Sequence, residues 1–279
     1  MYIRAGKILL TACILLFITG AIYLNAEQTS RSFTNEDLEK YGGSSSPSDS
    51  SDTSTVQTEE NNSKITERPL KKYAIKYSGG SRRIIIPVTF NGRVTANMLL
   101  DTGAPGMHIS YELAQKLYLL NSSESNLMVV IGGIGGSVPA IFTIIDSIRV
   151  GEAEDHFIPT FISPRISNEF EGLIGMDFMA SYSLRIDTKQ QVVIFEELPE
   201  SSDMPAGHDE RWWRTTFQQF KSLRMTWESY RDKLAGQGSY SDKEKDIRTF
   251  VDRQYRKANE LNDKLSVYAS EHSVPLEWR

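Results

Sequence analysis

Cysteine and histidine are scarce in this chain of 279 residues, and their scarcity excludes several kinds of site. The single cysteine, Cys13, allows no intramolecular disulfide and no cysteine-based metal site. The four histidines are scattered without the spacing of metal ligands, and we expect each to be a surface or loop residue: His108, His156, His208 and His272. We therefore expect neither a metal nor a cofactor.

An excess of basic charge is also missing. The formal net charge of −5 and the sequence pI near 5.5 argue against a nucleic-acid partner, because such binders usually present a basic face.

Nucleotide-binding loops are missing as well. The chain has no G-x-x-x-x-G-K-[ST], and its glycine-rich stretch at 129–138, VVIGGIGGSV, places Val138 where a dinucleotide fingerprint needs its third glycine. The residues that follow are β-branched and include Pro139, so the stretch is typical of a β-hairpin tip.

A charge-free apolar run occupies residues 8–24, after Arg4 and Lys7. Its length of about 17 residues is near the lower limit for a membrane span. The positive-inside rule places the N-terminus in the cytoplasm and the remainder outside, in the periplasm if the cell is Gram-negative. A cleaved signal peptide is the alternative, although Leu24 is large for the −3 position of a cut after Ala26. We expect residues 1–27 to form a cytoplasmic N-terminus and a single-pass signal anchor.

Residues 28–68 are polar and rich in serine and threonine. They include GGSSSPSDSSDTSTVQTEENNS, which has too few apolar side chains to form a core. We expect a disordered linker that holds a folded unit away from the membrane.

Residues 69–198 change to short apolar segments typical of β-strands. Two of these segments flank Asn91-Gly92, the strongest short hairpin signal. A short helix is expected after Ser110, which is placed to cap it. Because no long helical segments alternate with the strands, a parallel α/β sheet is not expected, and a mostly β domain fits.

Asp101 is the candidate catalytic residue of this domain. The strand MLL runs directly into DTGA, which places a carboxylate at the end of a buried strand. The alternative is a turn aspartate that hydrogen-bonds its own backbone, and the tripeptide alone does not decide between the two.

Further motifs favour a catalytic Asp101 over a turn aspartate. Four elements, in order along the chain, resemble the retroviral-type, or retropepsin-like, aspartic proteases. They are a hairpin leading into MLLDTGA, the glycine stretch IGGIGG, the segment GLIGMDF, and a closing strand, QQVVIF. The resemblance covers under half of the chain and is closest to the membrane-anchored bacterial members. It implies a mostly β fold, a closed barrel-like domain with one short helix. Pro105 departs from the family pattern, which more often has a polar residue there, and is expected to reshape the wall of the cleft.

The resemblance also implies roles for residues of this chain. Asp101 would be catalytic, and Thr102, Gly103 and Ala104 would support its loop. The glycine stretch would be a flap that closes over the substrate, formed by Ile131, Gly132, Gly133, Ile134, Gly135 and Gly136, with the two isoleucines packed over the cleft. The segment under the active site would be structural: Gly172, Leu173, Ile174, Gly175 and Asp177.

This chain carries only one Asp-Thr-Gly, whereas the chemistry needs two carboxylates that share a proton. Asp187, in RIDTKQ, has Lys189 where the motif needs glycine, so we expect it to be a turn aspartate. The second carboxylate is therefore expected from the Asp101 of a second copy, in a two-fold homodimer.

Residues 205–279 have helical periodicity. Large apolar residues recur at helical spacing from Trp213 to Leu234, and a second stripe runs through Ile247, Val251, Ala258, Leu261, Leu265 and Tyr268. We expect a helical hairpin that packs on itself or on the β domain, with a dimerisation or partner-binding element as the alternative. The end of the chain is expected to dock through Leu276 and Trp278.

Two functions from different classes remain. One is an aspartic endopeptidase that hydrolyses polypeptides. The other is a catalytically silent module with the same fold, which binds peptides or acts as a scaffold at the membrane. The intact Asp101-Thr102-Gly103 and the complete glycine stretch favour the enzyme.

Overall fold

A computed structural model describes residues 71–79, 83–120, 126–133, 136–165, 167–198, 204–236 and 242–279. The predicted anchor at 1–27 and the predicted linker at 28–68 lie outside the described residues, as do Ile134 and Gly135 of the glycine stretch. None of the helices in the described part of the chain combines the length and the apolar character that a membrane crossing requires.

The strands within the described residues are β1 Lys72–Lys76, β2 Ile85–Phe90, β3 Val94–Leu100, β4 Met107–Ser110, β5 Leu127–Gly133, β6 Gly136–Val150, β7 Ala153–Ser163, β8 Gly172–Ile174, β9 Tyr182–Asp187 and β10 Val192–Glu197. The α-helices are α1 Tyr111–Lys116, α2 Met176–Met179, α3 Glu210–Ala235 and α4 Asp242–Glu271. Short 3-10 helices occupy Pro205–Gly207 and Leu276–Trp278.

Six strands close into a barrel, and a seventh lies at the end of the same sheet. The sheet order is β2-β3-β8-β4-β7-β6-β5, and β2 also pairs with β6, which completes the ring. β1, β10 and β9 form a separate antiparallel sheet. The mostly β prediction is confirmed, with two local parallel pairs, β3 with β8 and β4 with β7. The expectation of one short helix was incomplete, because α2 follows β8.

Local sequence signals explain several of these elements. Asn91 and Gly92 both have positive φ, 48° and 63°, which gives the tight turn that joins β2 to β3. Ser110 caps α1 as expected, since its hydroxyl accepts a hydrogen bond from the Leu113 amide at 3.1 Å. Asp187 is confirmed as a turn aspartate, because its carboxylate accepts hydrogen bonds from the amides of Lys189 and Gln190.

Apolar side chains form two clusters. The first fills the barrel and includes the fully buried Ile86, Val88, Met98 and Ile145. The second lies between the barrel and the helical hairpin, where Phe142 of β6 meets the ring of Phe220 from α3 with centroids 5.1 Å apart.

The helical hairpin is confirmed, and its apolar stripes pack both on each other and on the barrel. The expected docking of the chain end is half right. Trp278 packs against the second cluster, whereas Leu276 is 78% exposed, and the buried anchor of this segment is Val274.

Candidate active site

Asp101 lies where strand β3 ends, at the start of a tight loop. Its main-chain amide donates a hydrogen bond to the carbonyl of Ile174 in β8, at 3.0 Å. Its carboxylate accepts a hydrogen bond from the Gly103 amide at 2.9 Å, and its carbonyl accepts from the Ala104 amide at 3.2 Å. The loop therefore holds the carboxylate by its own backbone. Thr102 and Gly103 are exposed, whereas Ala104 is buried.

β8 fixes this loop from below because it is inserted between β3 and β4. Leu100 pairs with Ile174 in a parallel register, and Ile109 pairs with Gly172 in an antiparallel register. A β-carbon at Gly172 would lie 2.1 Å from the carbonyl oxygen of His108. Only glycine allows the strands to approach this closely.

The start of α2 completes the support of the Asp101 loop. The amide of Met176 donates to the carbonyl of Ala104, and the amide of Asp177 donates to the carbonyl of Pro105, both at 2.9 Å. Pro105 has no N–H but contributes its carbonyl oxygen, so this departure from the family pattern keeps the loop joined to α2.

An acid–histidine cluster lies behind the loop, formed by the buried Asp155 and His208 and the half-buried Asp177. His208, which precedes α3, is 3% exposed, so the expectation of a surface or loop histidine was wrong in its exposure. Its Nε2 lies 3.2 Å from Oδ1 of Asp155, within ion-pair distance but without hydrogen-bond alignment. Its ring stacks on Trp212, with centroids 3.7 Å apart. The packing of the helical region against the barrel buries this imidazole.

Burial raises the pKa of Asp177 to about 6, with the His208 charge opposing the shift and the Asp155 charge adding to it. The Asp177 carboxylate also lies against the Asp101 loop, because a β-carbon at Gly106 would sit 3.0 Å from its Oδ2. A cavity the size of about one water molecule lies among these groups. It is too small for a peptide, so the cluster is not the substrate cleft.

His108 is a further group near the loop, and because it is half-buried in strand β4, the expectation of a surface or loop histidine was wrong for it. Its ring stacks on Phe161, with centroids 5.2 Å apart. Burial lowers the pKa of His108 below its ordinary value, and the negative charge of Asp101 partly opposes that shift. No sequence pattern predicts this proximity, because β4 begins only after the loop has turned.

The glycine stretch forms the predicted hairpin. Its two strands pair up to Gly133 opposite Gly136, which has a φ of 107°. Ile131 is half-buried and packs against the cluster that the barrel shares with the helices, and its predicted place over the cleft stays a prediction. The described contacts thus join the Asp101 loop to β8 and α2, while those of the flap strand run toward the C-terminal helices.

Among the described residues, no cluster of three or more histidine, cysteine or acidic side chains could hold a metal ion. The acid–histidine cluster was not predicted as a site. Its members are far apart in the sequence, and a lone histidine before a helix carries no signal of its partners.

Comparisons with solved structures and with protein-family models both give matches. Among solved structures, the chain is similar to a retropepsin-like aspartic protease from Rickettsia conorii, at 21% sequence identity and a TM-score of 0.38, covering 46% of this chain and 92% of that one. A search of curated proteins found no match. The aspartyl protease family model matches residues 86–178, from β2 to α2, which include the Asp101 loop, the hairpin of β5 and β6, and β8. This part of the chain is therefore similar to the aspartyl protease family.

Proposed function

We propose that this protein is an aspartic endopeptidase whose active site forms when two copies pair and each contributes Asp101. The observation that carries the proposal is the Asp101 loop, which is fixed by main-chain contacts to β8 and α2. The same residues lie within the segment that matches the aspartyl protease family. The loop holds the Asp101 carboxylate in place while Thr102 and Gly103 stay exposed. This arrangement suits a carboxylate that must meet the same carboxylate of a second copy.

The chemistry needs two carboxylates that share one proton. One carboxylate activates a water molecule that attacks the peptide carbonyl, and the other protonates the carbonyl oxygen. Like charges about 3 Å apart cannot both ionise, so the pair releases its protons in two separate steps.

The other candidate aspartates support a second copy as the source of the second carboxylate. Asp177 lies on the inner side of the loop, where Asp155 and His208 act on it. Asp187 ends β9, away from the loop that β8 and α2 support, and has Lys189 where the motif needs glycine. Thr102 and Gly103 are exposed in the single chain and are available to a two-fold partner.

We further infer that the N-terminal segment holds the enzyme in a membrane with its catalytic domain outside the cytoplasm. The support is the apolar run at residues 8–24 after two basic residues. Recovery of the full-length chain in membranes after an alkaline wash, together with digestion by protease added from the outer side, would support this location. Recovery in the soluble fraction would contradict it.

The test of the proposed activity incubates the full-length protein with a diverse peptide mixture from about pH 4 to pH 7, and mass spectrometry identifies the cut sites. Asp101→Asn is compared with Asp187→Asn, which makes the same chemical change at the turn aspartate. Cleavage by the wild type and by Asp187→Asn, but not by Asp101→Asn, is the expected result.

Light scattering on the same samples tests the pairing. Cleavage activity should rise with the dimer fraction, because each chain supplies half of the site. A dimer that cuts no peptide would contradict the enzyme and favour a silent binding module. Full activity from a monomer would contradict the shared site.

A further inference from the structure

The outer edge of the flap strand β5 is covered by helix α4, and one side chain makes the connection. Gln254 of α4 accepts a hydrogen bond from the Met128 amide at 2.7 Å. It donates its own side-chain amide to the carbonyl of Asn126 at 2.9 Å. Gln254 is 2% exposed, so both bonds are largely shielded from water.

β5 needs such a partner because it is the terminal strand of its sheet. Every second residue of an edge strand directs its N–H and C=O away from the neighbouring strand. The bond from the Met128 amide to Gln254 shows that this residue is one of them. A primary amide carries both a donor and an acceptor, so Gln254 bonds the strand edge as a neighbouring strand would.

The surroundings of Gln254 are apolar on both elements. Leu127 and Val129 of β5 are 1% and 8% exposed and belong to the same cluster as Val251 and Ala258, one turn before and one turn after Gln254. A buried amide in such a place is costly unless its polar atoms are bonded. The glutamine therefore holds one alignment of α4 on β5, which apolar packing alone would not select.

We propose that the C-terminal helical hairpin anchors the flap, and that Gln254 is the positioning residue that fixes the base of strand β5 at Met128. This role rests on the proposed function of the hairpin tip as a flap over a peptide. The base of β5 is held from both sides, by β6 and by α4. Gly132, nearer the tip, is exposed and pairs with Ser137 of β6.

The direct test measures amide hydrogen exchange in the full-length protein and requires no activity. Gln254→Met keeps the length and the helix preference of the side chain and removes both hydrogen bonds. Gln218→Met is the matched control, because Gln218 is exposed on α3. Exchange at Met128 should accelerate about tenfold in Gln254→Met, the loss expected for one hydrogen bond, and stay at the wild-type rate in Gln218→Met. A wild-type rate in both variants would overturn the proposal.

A second variant keeps the test decisive if Gln254→Met does not fold. Gln254→Ala removes both hydrogen bonds, keeps a strong helix preference and places no long apolar side chain against the strand. Exchange at the base of β5 should again accelerate. Wild-type exchange in this variant would overturn the anchor.

The kinetic readout separates positioning from a merely structural role. A loosened flap occupies its binding position less often, so KM should rise about threefold to tenfold while kcat changes by less than about twofold. A fall of kcat of the same size in Gln254→Met and in the control Gln218→Met would contradict the positioning role of Gln254. If the wild type cuts no peptide but Gln254→Met still accelerates exchange at Met128, the anchor stands and the proposed peptidase fails.

Discussion

Gly175 and Ala104 are in main-chain contact beneath the candidate catalytic loop. A β-carbon at Gly175 would lie 2.5 Å from the carbonyl oxygen of Ala104, the same oxygen that accepts the Met176 amide. Any side chain at this position would have to displace backbone rather than a flexible group. The shape of the Asp101 loop therefore depends on the absence of a side chain in a different segment of the chain.

Replacing Gly175 with alanine should lower the free energy of unfolding by about 3–5 kcal/mol, because the new methyl group clashes with fixed backbone. Gly236→Ala is the control, since a β-carbon there meets nothing within 4 Å and its φ of −76° suits alanine. This control should be neutral or stabilising by about 0.5 kcal/mol. Urea unfolding of the three proteins measures the difference, and equal stabilities would show that the loop yields to the added methyl.

Asp101→Asn should remove peptide cleavage and keep the fold. The Asp101 carboxylate accepts the Gly103 amide at 2.9 Å, and the Oδ1 of asparagine can accept the same hydrogen bond. The free energy of unfolding should therefore change by less than about 1 kcal/mol. Loss of the shared proton should lower kcat/KM by about 10²–10⁴-fold or more. Circular dichroism and cleavage assays on the same sample check both parts. Cleavage at the wild-type rate would exclude Asp101 from the chemistry.

Asp177→Asn should change how stability depends on pH. Burial raises the pKa of Asp177 from 3.8 to about 6, so the folded state holds a proton that the unfolded state has released. The resulting stability is complete below about pH 3.8 and is lost as the pH rises through about 6. Asparagine cannot ionise and avoids that loss. The variant should therefore gain up to about 3 kcal/mol on the wild type between about pH 4 and pH 7.

Melting temperatures across that pH range measure this effect. Asp242→Asn is the control, because its side chain is 98% exposed. Asp155 and His208 are present in both proteins, so effects that the two proteins share cancel in the comparison. A difference between Asp177→Asn and the wild type that stays constant with pH would contradict the raised pKa.

Elements with local signals could be predicted from the sequence. Asn91-Gly92 predicted its hairpin, because few other residue pairs take positive φ twice in succession. Ser110 predicted the start of α1 through its cap. Short apolar segments and helical periodicity predicted the strands and both long helices. In each case the residues that decide the structure are near neighbours in the chain.

The contacts that complete the candidate site are long-range and could not be predicted in this way. The insertion of β8 between β3 and β4 depends on the close approach of Gly172 to His108, which no local pattern specifies. His208 is buried only because the helical region docks on the barrel. Gln254 left a weak signal, a polar residue within the apolar stripe of α4, but its strand partner lies more than a hundred residues earlier.

Phe220→Ala tests whether the helical hairpin and the barrel form one cooperative unit. Phe220 is 1% exposed and contacts the rings of Phe142 and Phe157 on the barrel, so its truncation should cost about 3–5 kcal/mol. Met225→Ala, on the same helix at 51% exposure, is the control and should cost less than about 0.5 kcal/mol. If the second cluster joins the two parts, Phe220→Ala lowers a single unfolding transition seen by both tryptophan fluorescence of the hairpin and far-ultraviolet circular dichroism. An early loss of the helical signal with an unchanged barrel transition would show instead that the hairpin is only loosely attached. The second cluster would then not hold the hairpin firmly enough to anchor strand β5.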